Sequence, residues 1–243
     1  MPSPFDTYRS TVSGVVWPPL VEGMGALLLS CLARLEESEW LSAEIIEAHQ
    51  RAQLGVLAGH CAAHSPAFAA RLGAAGLEAE DLAEPGGLQR LPPLTRRDLQ
   101  RTDGLFCEVV PESHLPLGEN TTSGSTGEPV MVRRTTLNQL GWMGATLRDH
   151  RWQRRDAGLR LAGMSAHNHA VVRQPDWGSP HSLVYRTGPS IMLPTALDLP
   201  EMIAVLEDFR PEVLVVYPRS WRKFSMPSPG PTIASPACGT CVA

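Results

Sequence analysis

The clearest periodic signal in the chain is helical. Leu28, Cys31, Leu32 and Leu35 recur at three- and four-residue spacing, and Ile45, Ile46, His49, Leu54, Leu57 and Cys61 continue the pattern, which predicts helix between Leu27 and Leu72. Ser42, followed by Glu44 and Ile45, is a helix start, because a short side-chain oxygen can accept from the N–H groups that a first turn leaves unpaired. Beyond it, residues 65–100 read as a short helix, a stop at Gly76, a loop rich in Pro and Gly, and a new helix opened by Thr95. Asp98, three residues on, completes a capping box with Asp in the usual Glu position.

After Arg101 the pattern changes. "GLFCEVVP" at 104–111 predicts a short strand, a Ser/Thr/Gly loop follows, and "PVMVRRT" at 129–135 is apolar and β-branched enough to be another strand. The loop therefore joins two strands. Leu137 to Arg151 returns to helix, and "LPEMIAVLEDF" at 199–209 is a second helix in this half. "GLRLAGMS" at 158–165 and "EVLVVYP" at 212–218 are apolar runs of the kind that forms buried strands. Strand, helix and strand in alternation define an α/β class. The division read from the sequence is a mostly helical region over 1–100, an α/β region over 101–224, and a tail over 225–243. That tail holds four prolines, no charged residue and no period, which predicts coil, and its abrupt onset is what a reading-frame change would produce.

Composition narrows the classes. The chain has 243 residues and a formal charge of -4, which removes the motive for a nucleic-acid partner, since such proteins carry a basic face that neutralises phosphates. Cys31, Cys61, Cys107, Cys238 and Cys241 are odd in number and irregular in spacing, which argues against a disulfide framework and for a reducing, cytoplasmic setting. "MPSPFDTYRS" lacks the basic-then-apolar order of a signal peptide. Met24 to Leu35 is interrupted by Gly25, Ser30 and Arg34 and is shorter than the roughly 20 residues of a membrane span.

The candidate chemistry sits in "TTSGSTGEPV", residues 121–130. Small hydroxylic and glycine residues make either a flexible linker or a cradle for an anion, because glycine admits close backbone approach and serine and threonine add O–H donors. The apolar run Val130, Met131 and Val132 directly after the loop favours a loop held by a sheet over a linker. A Gly-Lys-Ser/Thr nucleotide loop is excluded, because Glu128 stands where the lysine would be. The chain has no GxGxxG for a dinucleotide and no G-x-S-x-G nucleophile elbow.

The same run resembles the phosphate-binding loop of the adenylate-forming superfamily, a Thr/Ser-Ser-Gly-Ser/Thr-Thr-Gly run followed by any residue and then Pro. Within that superfamily the chain is similar to the phenylacetate–coenzyme A ligase and CapK-like branch. The supporting stretches are "WPPL" at 17–20, residues 35–68, "LQRLPPLTRRDLQ" at 88–100 and "RPEVLVVYPRSW" at 210–221, so the resemblance covers about residues 15–224. It implies a fold that opens the large α/β adenylation domain. It also implies a two-step reaction in which a carboxylate attacks the α-phosphate of ATP, with Mg2+, to give an acyl adenylate, and a thiol, usually coenzyme A, displaces AMP. By that resemblance Thr122, Ser123, Gly124, Ser125, Thr126 and Gly127 hold the β- and γ-phosphates, Pro129 stiffens the exit, and the partner is a small-molecule carboxylic acid.

The family's ribose-gripping aspartate, its acid for Mg2+ and its adenylation lysine have no counterpart in the 243 residues. Lys223, the single lysine, lies in a different context, so no catalytic residue is assigned. The reading is then an N-terminal fragment of an acyl ligase, inactive in turnover by itself. A non-catalytic nucleotide- or anion-binding remnant, or a chain that does not fold stably alone, are the alternatives. Elsewhere, Cys238 and Cys241 have half-site spacing without a second pair and read as tail residues. His167, His169 and His181 have no acidic partner at ligand spacing, so no metal is expected. Arg148, Arg151, Arg154 and Arg155 around Trp152 read as a solvated helix face balanced by Asp149 and Asp156.

Overall fold

The computed structural model describes residues 8–101, 103–122, 128–166, 168–217 and 241–242. The chain is mixed α/β and divides into two compact units, Ala33–Trp142, and Met1–Leu32 with Met143–Ala243.

The Ala33–Trp142 unit is built on helices. α1 (Gly23–Ser38) runs into it, and α2 (Ala43–His64) starts where the sequence predicts, with the Ser42 side chain accepting from the Ile45 N–H. α3 (Pro66–Ala75) opens with proline at its first position, where a missing N–H costs nothing, and ends on Gly76 at φ 62°. Ala58 of α2 and Leu72 of α3 meet Leu77, Ala79, Leu82 and Leu91 in a single apolar cluster, with Leu54, Ala62, Phe68 and Ala75 against it. A short turn, α4 (Gly87–Arg90), follows; Gly87 packs so closely on the backbone of Asp81 that a side chain there would collide with the Asp81 carbonyl. α5 (Arg96–Gln100) carries the predicted capping box in both directions, Asp98 N–H to Thr95 and Thr95 N–H to Asp98. The Thr95 hydroxyl and N–H hold the Asp98 carboxyl below the ordinary carboxylate range.

One predicted strand is not formed. Residues 104–111 run as turns and bends, and the reason is visible in their hydrogen bonds. The Ser65 hydroxyl donates to the carbonyls of Gly104 (3.0 Å) and Leu105 (3.1 Å), the Ala67 N–H donates to Gly104 (3.0 Å), and the Glu108 N–H donates to His64 (2.7 Å). These groups are spent on the α2–α3 junction and are unavailable to a ladder. The strand instead comes later, as β1 (Gly118–Thr121), paired antiparallel with β2 (Met131–Arg134) in the register Thr121 opposite Met131. The predicted strand–loop–strand arrangement thus stands, with its first strand moved toward the loop.

α6 (Thr136–Trp152) starts on a reciprocal pair, Thr135 N–H to the Asn138 side chain and Asn138 N–H to the Thr135 hydroxyl, and leads into the second unit. There, β3 (Leu161–Ser165) is the centre of a five-stranded sheet in the order β4-β5-β3-β6-β7. β5 (Ser190–Pro194) and β6 (Val213–Val215) flank it in parallel, with α7 (Leu199–Phe209) as the crossover between them. β4 (Val172–Gln174) closes one edge antiparallel to β5. α7 is capped by Asp198, whose side chain accepts from the Glu201 N–H, and lays Met202 on Ala162, Ile191 and Leu193. α7, β3 and β6 fall where the apolar runs predict them, while β4 and β5 are not predicted from the sequence. The tail departs from expected coil at two residues: β7 (Cys241–Val242) pairs parallel with Leu214 and Val215.

Candidate functional site

The loop singled out in the sequence spans 122–130, and its stem is well defined. The Thr122 N–H donates to the Val130 carbonyl at 2.9 Å, and the Val130 N–H donates back to the Thr122 hydroxyl oxygen at 3.0 Å. The mouth of the loop is therefore closed by one residue making both contacts. Because the hydroxyl is the acceptor in the second bond, its own hydrogen is left to donate. Val130 is buried while Thr122 and Pro129 are exposed, so the stem is anchored on its β2 side. Of the predicted phosphate-binding set, Ser123, Gly124, Ser125, Thr126 and Gly127 lie outside the described residues.

The outgoing end of the loop is gripped by α5. The Glu128 carbonyl accepts from Arg96 Nη2 at 3.1 Å and from Gln100 Nε2 at 2.6 Å. One carbonyl oxygen has two lone pairs, and residues four apart on a helix share a face, so both side chains reach it together. Sequence reading missed Arg96 and Gln100; the signal was there in the capping box at Thr95, which fixes the helical phase and puts the two side chains on one side. Glu128 contributes its backbone carbonyl to this clamp.

The strands themselves are held by their edges. Glu119 and Arg133 stand opposite each other in register and pair at 3.2 Å, and the Arg133 guanidinium also lies 4.6 Å from the Phe106 ring centre. Next to it, Arg134 donates to Gln139 at 3.0 Å. An open cleft of about 410 Å³ in the same unit is lined by Arg71, Leu94, Asp98, Arg101, Asp103 and Leu105 among others. Its charges are of both signs and its Arg71 donates to the Pro92 carbonyl, so it has no single-sign preference for a ligand.

The second unit holds a buried polar cluster at the end of α6. His150 and His181 lie with ring centres 4.1 Å apart, and Trp177 meets both edge-on at 5.7 and 5.2 Å. The Trp177 indole N–H donates to the Leu159 carbonyl at 2.8 Å, which fixes the ring. Burial, with Arg155 beside it, pushes His150 down to about 4; burial, His150 and Arg155 push His181 down to about 3. Both imidazoles are therefore neutral at pH 7. Arg155 pairs with Asp149 at 3.1 Å with its side chain only 6% exposed, and Arg155 Nε and Nη2 and His181 Nε2 have no hydrogen-bond partner among the described residues.

This corrects the reading of the arginine run as a solvated face at Arg151 and Arg155, while Arg154 is exposed and Asp149 is an ion-pair partner as that reading expects. Arg155 is buried, and Arg151 donates to the hydroxyls of Tyr185 (3.0 Å) and Tyr8 (2.6 Å). Arg148 stacks on Trp152, while Asp156 turns its carboxylate to the Gly158 N–H. The run is a structural knot at the C-terminal end of α6, where cationic groups are favoured by the helix dipole. Of the predicted histidines, His169 is exposed, His181 is in the cluster just described, and His167 lies outside the described residues. Cys238 also lies outside them, and Cys241 is in β7. Among the described residues no group of three or more His, Cys, Asp and Glu side chains is arranged to hold a metal ion, and no helix is long and apolar enough to cross a membrane.

No family model matches the sequence, and no curated protein is significantly similar to it.

Proposed function

We propose that this chain carries the triphosphate-gripping part of an ATP-dependent carboxylate ligase of the adenylate-forming type, close to the phenylacetate–coenzyme A ligases. The observation that carries the reading is the run Thr122-Ser123-Gly124-Ser125-Thr126-Gly127-Glu128-Pro129 placed between two antiparallel strands. Its two ends are held by Thr122–Val130 and by Arg96 and Gln100 on Glu128. Holding both ends of a loop lowers the reorganisation that donors within it need to stabilise a departing pyrophosphate. ATP with Mg2+ is the nucleotide of this reading, a carboxylic acid the substrate, coenzyme A the acceptor, and the cytoplasm the setting. The α/β region then opens the large adenylation domain.

Binding is separable from turnover. Titration calorimetry on the 243-residue chain with Mg2+ is expected to show ATP and pyrophosphate binding in the micromolar-to-millimolar range, with AMP at least tenfold weaker. Ser125→Ala with Thr126→Ala is expected to weaken pyrophosphate at least tenfold. A folded chain that binds neither ATP nor pyrophosphate at millimolar concentration overturns the reading. Pyrophosphate release in the presence of ATP, coenzyme A and a panel of aromatic and fatty acids then separates an active ligase from a binding remnant.

A further inference from the structure

Cys61 and Cys107, 46 positions apart, bring their sulfurs to 3.9 Å, with the Cys107 thiol donating to Cys61 Sγ. Cys61 is on the last turn of α2, and Cys107 lies on the segment that the sequence predicts as a strand and the structure shows as turns. What makes the approach more than chance proximity is the strapping on either side of it. The Glu108 N–H, next to Cys107, donates to His64 at 2.7 Å, and the Ser65 hydroxyl and Ala67 N–H hold the carbonyls of Gly104 and Leu105. Phe106, on the other side of Cys107, lies under the Arg133 guanidinium. Backbone bonds before and after Cys107 thus hold it against α2, and the protein bonds that would place a disulfide are already made. Both thiols are only partly buried, so small reagents can reach them.

We propose that Cys61 and Cys107 form a reversible intramolecular disulfide, a redox modification site that ties the segment leading to β1 onto α2. The sulfurs have to close from 3.9 Å to the roughly 2.05 Å of a disulfide, a movement that side-chain rotation with a small backbone shift supplies. With a small disulfide such as oxidised glutathione as the oxidant, one thiolate attacks a glutathione sulfur, forming a mixed disulfide and releasing one glutathione. The second cysteine thiolate then attacks the protein sulfur of that mixed disulfide and expels the other glutathione. Two electrons leave the cysteine pair, and the two protons end on the two glutathione thiols. Burial and the adjacent Cys107 thiol push Cys61 up to about 11, so Cys61 is a thiol at neutral pH. Cys31, whose thiol is also raised by burial, has no sulfur beside it among the described residues.

The test is made on the native 243-residue chain incubated with millimolar oxidised glutathione at pH 8, quenched with N-ethylmaleimide, digested without reduction and mapped by mass spectrometry. The expected result is a peptide pair joining Cys61 to Cys107 as the main product, with the loss of two hydrogens. A rise of about 5 °C or more in the thermal midpoint, reversed by dithiothreitol, should accompany it. Cys107→Ser and Cys61→Ala should each abolish both signals; the wild-type map decides the matter if either variant fails to fold. Glutathione adducts on Cys61 or Cys107 without the cross-link, linkage of either to Cys31, Cys238 or Cys241, or a cross-link that forms only in denaturant would overturn the proposal.

Discussion

The two sheets of this protein are built on opposite terms. In the five-stranded sheet, β3 and β5 bury most of their residues, and Ala162, Ile191, Leu193 and Met202 exclude water from both strand and helix. In the hairpin, β1 and β2 expose three of their four residues each, and the strands are held by a cross-strand ion pair, a guanidinium over Phe106 and polar clamps at the loop ends. The first arrangement draws its stability from apolar area removed from water, which is large and is not screened by salt. The second draws it from several polar contacts of modest worth, which can be rearranged when a ligand competes for the same donors. A fold core belongs on the first kind of sheet and a binding loop on the second.

The comparison breaks most sharply in the core. Leu193 is fully buried between strand and helix, so Leu193→Ala is expected to cost about 3 to 5 kcal/mol, measured as a shift in the urea midpoint. Val132 on β2 is 41% exposed, and Val132→Ala should cost less than about 1 kcal/mol. Equal effects at the two sites would end the distinction between them.

Acid should act next, and most on the unit with the imidazole pair. His150 and His181 are depressed to about 4 and about 3 in the fold, against about 6.5 unfolded. Between those values the unfolded chain binds more protons than the folded one, so stability rises with pH there and is lost as pH falls from about 6.5 toward 3. Allowing for solvent screening of the partly exposed His150, the loss is on the order of 3 kcal/mol for the pair. Chemical denaturation at pH 7 and pH 4.5 measures it, and His150→Gln with His181→Gln should flatten the difference. An unchanged pH slope in that double variant would show that other groups carry the acid response.

Thr122 joins the two regions' logics, since its hydroxyl both accepts from Val130 and keeps a hydrogen for a ligand. Thr122→Ala should cost about 1 kcal/mol of stability, in line with one lost hydrogen bond, and at least a severalfold loss in pyrophosphate affinity. Thr122→Ser should restore most of both. If Thr122→Ala weakens stability with no change in pyrophosphate binding, the residue is a stem bond and nothing more.

How much of this was legible in the sequence follows the same division. The α2 start at Ser42, the Gly76 stop, the Thr95–Asp98 capping box and the strands β3 and β6 could be read because each depends on local chemistry or on an apolar run, whereas the short strands β4 and β5 were not read. The strand expected at 104–111 could not be corrected from sequence, because what prevents it is Ser65 and Ala67, roughly forty positions away, taking its carbonyls. Arg155 looked like a solvent residue for the same reason: its side chain is buried beside imidazoles that include His181, twenty-six positions away. At the candidate site the strand–loop–strand frame was legible from its own residues, while Arg96 and Gln100 were missed although the Thr95 capping box fixes their phase, since a side chain that grips a backbone carbonyl leaves no mark on the residue gripped.

The smallest effect tests the hairpin's polar side alone. Glu119 and Arg133 are directly opposite and both substantially exposed, so their pairing should be worth only about 0.2 to 1 kcal/mol and should fade in salt. Arg133 has a second contact in Phe106, which Glu119 lacks. Glu119→Gln should therefore cost less than Arg133→Gln, and the excess for arginine should persist in 1 M salt because stacking on a ring survives screening better than an exposed ion pair. A double-mutant cycle at low and high salt separates the two contributions. If the Arg133→Gln loss disappears with salt as completely as that of Glu119→Gln, the Phe106 contact contributes nothing, and the hairpin is held to its unit by charge and backbone bonds without the aromatic ring.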